Sequence, residues 1–295
     1  MTEASELPTP PPAAHPLATA LARPKLIAVG FVIALAALGW LYLAFAVADM
    51  GEAGAALGPG MTIFDSLPRA VQAICRPLFG ATMPEHGVWL IALMWGAMTL
   101  AMMLPTAGPM ILTYAEIADT AARKGERIVS PLVLAAGYTT MWFGYAVAAT
   151  VAQILFTRLA LMDTGMSSAS VLFSGAIFIA AGVYQFTPLK HACLNQCQRP
   201  FPFFFANWQT TAIGVFRLGV QQGLYCLGCC WAMMLLMFAV GVMNVVWMAG
   251  LGIVMTIEKI GSGRRFSHAV GVVLILGGIA VVASAFVTHW PGAAN

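Results

Sequence analysis

The chain has 295 residues, 60% of them apolar and only 8% charged, with a formal net charge of +3 and a mean hydropathy of +0.86. A soluble domain carries about 25% charged residues, so this composition excludes a water-soluble fold and suits a bilayer, which asks for no charged surface. No basic run points to nucleic acid.

Residues 1–22 hold Pro8, Pro10, Pro11, Pro12 and Pro16 among small and polar residues, the composition of a disordered tail. Arg23 and Lys25 precede an apolar run over 26–48. That run is longer than the 7–15 residues of a usual signal-peptide core, which favours a retained helix over a cleaved leader.

A helix crossing about 30 Å of hydrocarbon needs about 20 apolar residues. Seven segments meet that length, some barely: 26–48, 88–112, 131–157, 168–188, 223–243, 244–260 and 268–289. The fold expected is all-α, a polytopic bundle of about seven spans within one transmembrane domain, residues 23–295. The fifth and sixth spans meet at Gly241, Val242, Met243 and Asn244 as a tight hairpin. With the N-terminus inside, the inner segments hold eleven of the fourteen basic residues, and the outer ones only Arg69, Arg76 and Arg158. That bias places the C-terminus outside, with His289 and Trp290 at the interface. A bacterial inner membrane is the expected location.

Two stretches are neither loop nor clean span. Residues 49–87 form an outer segment with Asp49, Glu52, Asp65, Cys75, Glu85 and His86. Residues 198–222 are rich in phenylalanine, from Phe201 to Phe205, and include Trp208. They are expected to lie at the headgroup level, and then to form a short amphipathic helix carrying Arg217, Gln221 and Gln222.

Five of the six cysteines fall between positions 193 and 230, as Cys193-x3-Cys197 and Cys226-x2-Cys229-Cys230. The topology puts both groups on the inner, reducing side, where structural disulfides are not expected and thiols remain available to metal. Cys193 and Cys197 share a helix face, as do Cys226 and Cys230. Continuing that second face meets Met233 and Met237, so one stripe runs from thiols to thioethers. Thiolate with thioether favours Cu(I) among common metals; the thiols alone would suit Zn(II) equally. His191 stands two residues before Cys193 and offers a nitrogen. Against this stands packing, because a free cysteine is a small hydrophobe that buries well.

The chain has eighteen methionines, and Met94, Met98 and Met102 repeat every four residues along the second span. They form a second candidate stripe of soft ligands, although methionine also serves as an adaptable filler of apolar cores. Pro105 and Pro109 follow and are expected to kink that span. Glu116 and Asp119 read as solvated residues at its inner end. Gln185 is placed to bond a neighbouring helix or orient a ligand. Glu258 and Lys259 read as a surface pair worth little. No phosphate loop, Ser/His/Asp arrangement or His-Glu-x-x-His string is present.

Several strings together carry a family resemblance. They are Trp95-x2-Met98-x2-Ala101-Met102-Met103-x-Pro105, Tyr184-Gln185-x-Thr187-Pro188-Leu189-Lys190-x2-Cys193-Leu194-x2-Cys197, and Gly223-x2-Cys226-x-Gly228-Cys229-Cys230-Trp231. Gly241-Val242-Met243-Asn244-x2-Trp247-Met248 and Glu258-Lys259 follow. Over about residues 85–262 the chain resembles a bacterial family of predicted metal-binding integral membrane proteins, sometimes labelled copper chaperones. The first span, the outer segment and the last span lie outside the resemblance. It implies metal binding by the two cysteine groups and carries over no catalytic role.

The function expected is binding a soft metal, Cu(I) before Zn(II), for copper handling, delivery or transport, with a metallochaperone or cuproenzyme as partner. The ligand set is Cys193, Cys197, Cys226, Cys229 and Cys230, with Met94, Met98, Met102, Met233 and Met237 as weaker sites. Two other classes stay open: a membrane thiol-disulfide oxidoreductase using Cys226-x2-Cys229, and a scaffold or small-solute carrier whose cysteines only pack.

Overall fold

The computed structural model describes residues 24–52, 88–162, 168, 170–242, 244–261 and 263–288. The expectations for the tail, most of the outer segment, Cys75, His86, Met243, His289 and Trp290 lie outside those residues. Among the described residues the chain is helical throughout, with no strands. In order the helices are α1 (Pro24–Glu52), α2 (Val88–Arg123), α3 (Pro131–Arg158), α4 (Val171–Tyr184), α5 (Pro188–Gln198), α6 (Pro200–Ala206), α7 (Ala212–Val240), α8 (Val245–Ile260) and α9 (Gly263–Thr288).

Each of the seven apolar segments contains a helix, yet among the described residues four helices are long and apolar enough to cross a membrane: α2, α3, α7 and α9. A fifth forms if α4 and α5, bent by 65° at a short break, are taken as one span. The break is written in Thr187-Pro188. Proline has no N–H to continue α4 and pushes the preceding residue out of the helical region, and Thr187 is extended at φ −72°, ψ 143°. Its hydroxyl then caps α5 by accepting from the Lys190 amide at 3.3 Å. Similar side-chain caps start four other helices, from Ser130 on α3, Ser170 on α4, Thr211 on α7 and Asn244 on α8. Gly241, at φ 101°, turns the α7–α8 hairpin through backbone space that other residues avoid.

Helix pairing follows the small residues. α4 lies against α9 where Gly175 and Gly182 face Gly278 and Gly271. α3 lies against α7 where Gly137 faces the Phe216 carbonyl and Gly219 the Leu134 carbonyl. In lipid, such close backbone approach supplies the packing that the hydrophobic effect does not. A Cβ on Gly219 would sit 2.2 Å from the Leu134 oxygen. Gly219→Ala is therefore expected to force α3 from α7 and destabilise the fold by about 1–3 kcal/mol. Gly144→Ala, where an added Cβ meets nothing within 4 Å, is the matched control. Thermal unfolding in detergent compares the two, and equal melting points would discard the close-packing account.

One sequence expectation changes. α7 runs unbroken from Ala212, so no separate amphipathic helix carries Arg217 and Gln221, and Gln222 is buried within it. α2 runs through Pro105 and Pro109 as one helix. Pro105 has no N–H for the Ala101 carbonyl, and the indole N–H of Trp40 on α1 donates to that oxygen instead at 3.0 Å.

Candidate metal centre

The phenylalanine-rich stretch brings the two cysteine groups together. Phe204 on α6 is buried edge-on against Tyr114 of α2, and Trp208 stacks on the same ring, both at 5.5 Å between centroids. Phe201 and Phe205 stay exposed. The chain thus folds back after α5 and re-enters the bundle as α7.

On α7 the Sγ atoms of Cys226, Cys229 and Cys230 lie within 4.8 Å of one another, all buried. Cys229 and Cys230 are 3.3 Å apart. Cys197, arriving from α5, reaches within 4.0 Å of Cys229. Cys193 sits one turn back, its sulfur against Gly228, where a Cβ would lie 2.6 Å away. All five are free thiols. Two thiolates on one zinc at about 2.3 Å in tetrahedral geometry stand about 3.8 Å apart. Four thiols at these separations, with no hard donor among them, fit a thiophilic ion.

The methionines separate into two cases. Met94, Met98 and Met102 on α2 and Met237 on α7 are buried in the apolar core. Met233 accepts a 2.9 Å hydrogen bond at its sulfur from the Gln185 amide. Gln185, at the break after α4, therefore bonds a neighbouring helix.

The reading of Glu258 and Lys259 as a surface pair is wrong. They end α8 back to back and each pairs inward with something else, because consecutive helical residues point about 100° apart. Lys259 donates to Cys226 Sγ at 2.9 Å and to Thr106 Oγ1 at 2.6 Å. Tyr138 of α3 puts its hydroxyl 3.0 Å from the same sulfur and 3.1 Å from the Met103 carbonyl. Glu258 instead binds Lys190 of α5 through both carboxylate oxygens, at 2.8 and 2.9 Å, with both side chains buried. Lys190 also donates to Gln185. A chain of contacts thus runs Glu258, Lys190, Gln185, Met233, beside the thiols. Glu116, by contrast, is exposed as expected.

Lys259, Cys226, Cys197, Tyr138, Thr106 and Gln222 line a small cavity of about 20 Å³, room for one water- or ion-sized occupant. The Gln222 amide nitrogen is buried there without a hydrogen-bond partner. Sequence reasoning missed Lys259, Tyr138 and Thr106. A lysine at the end of an apolar helix ordinarily snorkels to the interface, so position alone gave no signal for Lys259.

No curated protein and no solved structure matches the chain at a significant level. The family model PpoB2, described as "Copper chaperone", matches residues 92–281. This range runs past the resemblance read from the sequence motifs and takes in most of α9, which that reading left out. Since it spans well over half of the sequence, the chain belongs to this copper chaperone family.

Proposed function

We propose that the protein is an integral membrane copper handler that binds Cu(I) and passes it to a partner. Its primary ligands are Cys197, Cys226, Cys229 and Cys230, with Cys193 adjoining them. The observation that carries this reading is the convergence of α5 and α7 thiols on a sulfur held by Lys259. Two thiolates on Cu(I) leave one net negative charge, which is costly in a low-dielectric interior unless compensated. The Lys259 ammonium at 2.9 Å from Cys226 supplies that compensation. The family's description names copper, and the donor set suits it. Zn(II) is the competing occupant, since three or four thiolates also suit it.

The proposed setting is one transmembrane domain of seven spans over residues 23–295, N-terminus inside, in a bacterial inner membrane. The short α8 and the bent α4–α5 pair would count as spans there. Met94, Met98, Met102, Met233 and Met237 would serve as weaker sites along the bundle. A metallochaperone or cuproenzyme would meet the thiol end.

The test is elemental analysis of protein purified in detergent under reducing, anaerobic conditions after copper or zinc supplementation. Stoichiometric copper is expected. No metal under either condition, with thiols that alkylate freely, would reject the reading in favour of redox or packing roles.

A further inference from the structure

His191 of α5 and His268 of α9, 77 positions apart in sequence, bring their Nε2 atoms to 3.2 Å. The rings meet nearly edge to face, at 5.2 Å and 76°. Phe186 stacks on His268 at 5.0 Å and 23°, which fixes that ring's plane. Two nitrogens bound to one ion at about 2.0–2.1 Å in tetrahedral geometry stand about 3.3 Å apart, against about 4 Å in a linear arrangement. The observed gap, which is that of a hydrogen bond between the two rings, also matches the nitrogen edge of a four-coordinate ion.

The surroundings also fit. Lys190, next to His191, is neutralised by both oxygens of Glu258. Arg264, one turn before His268 on α9, is exposed. His268 is half-buried, and an ion held by the two imidazoles needs a further ligand from outside the pair to become three-coordinate.

The pair is separate from the thiols. Cys197 follows His191 by six residues, about 9 Å along the axis of α5 and on a different face. His191 meets α9, whereas Cys197 meets Cys229 on α7. One ion cannot sit on both.

The geometry points to a second metal site, in which His191 and His268 hold a copper ion that still carries an exogenous third ligand, beside the thiol centre. The choice of copper rests on the proposed function; the paired imidazoles do not. Neutral nitrogen donors hold such an ion less tightly than thiolates, so with limiting Cu(I) the thiol centre fills before the histidine site.

The test uses the full chain in detergent, loaded anaerobically with Cu(I), with copper per protein and X-ray absorption as readouts. The wild type is expected to show nitrogen and sulfur scattering together. The His191→Ala/His268→Ala variant is expected to lose one copper equivalent and the nitrogen signal, with the sulfur signal kept. His191→Gln/His268→Gln retains hydrogen-bonding groups, and α9 is packed through glycines rather than through His268, so this variant should elute like the wild type and show the same loss. Unchanged nitrogen scattering in the variants, or none in the wild type, overturns the site. In Cys226→Ser/Cys229→Ser the nitrogen-bound copper should survive while sulfur scattering falls. Loss of both signals there would show a single shared site and overturn the proposal. Survival of both would reject the thiol centre while supporting the histidine site.

Discussion

Replacing both Cys226 and Cys229 with serine is expected to abolish stoichiometric Cu(I) binding at the thiol centre. Cys226 is the sulfur held by Lys259 and Tyr138, and Cys229 is the sulfur that meets Cys197 and Cys230. Removing them leaves Cys197 and Cys230 without the thiol that links them. Serine fills nearly the same volume but offers a hard oxygen where the ion prefers sulfur. Altering a group that only supports a ligand costs about 10–100-fold in metal affinity; removing two ligands should exceed that. Cys193→Ser, changing a sulfur that lies against Gly228, should cost far less. Competition with a Cu(I) chelator, on protein that elutes as wild type, measures all three. A double variant that holds sulfur-bound copper at wild-type affinity would sink the assignment.

Glu258→Gln should be the most destabilising single change in the bundle. It leaves the Lys190 ammonium buried with only neutral partners. Breaking a buried pair in this way costs about 3–5 kcal/mol, because the remaining charge stays desolvated. The damage should reach the metal centre, since the Glu258 carboxylate is bonded to Lys190 of α5, and α5 carries Cys197. Replacing both partners, Lys190→Met with Glu258→Met, removes the stranded charge and should recover most of the stability. Thermal unfolding in detergent reads both. A single variant as stable as the wild type, or a double variant as unstable as the single, would show that the pair contributes otherwise.

The apolar character and the helical segments were legible because each is a local property. Apolar runs of the right length are helices in lipid whatever they pack against, since each backbone must satisfy its own hydrogen bonds. The break at Thr187-Pro188 and the turn at Gly241 are local too. The sharing of one face by Cys226 and Cys230 needs only helical periodicity. The start of α7 was misjudged for a related reason: the aromatic stretch before it resembles an interface, and nothing in its composition says where the helix begins.

What lies between helices was not legible. Glu258 and Lys259 are neighbours in sequence, and adjacency suggested that they pair. In the fold one turns to Lys190 and the other to Cys226, because each finds an opposite charge or a thiol on a different helix. Tyr138 and Thr106 carry no signal as single residues; they matter because α3 brings Tyr138 to Cys226 Sγ and α2 brings Thr106 to the Lys259 ammonium that holds the same sulfur. His191 and His268 meet because α5 continues from α4, which packs on α9 through glycines. The sequence by itself determined an all-α chain with helices apolar enough to cross a membrane and two thiol groups on helical faces, since hydropathy and periodicity are properties of short segments. Only the tertiary structure decided that the groups converge, that Lys259 bonds Cys226, and that a buried ion pair ties α5 to α8. Those depend on which helices touch, and in lipid that is set by glycine-to-backbone fit and paired polar groups rather than by any pattern along one segment.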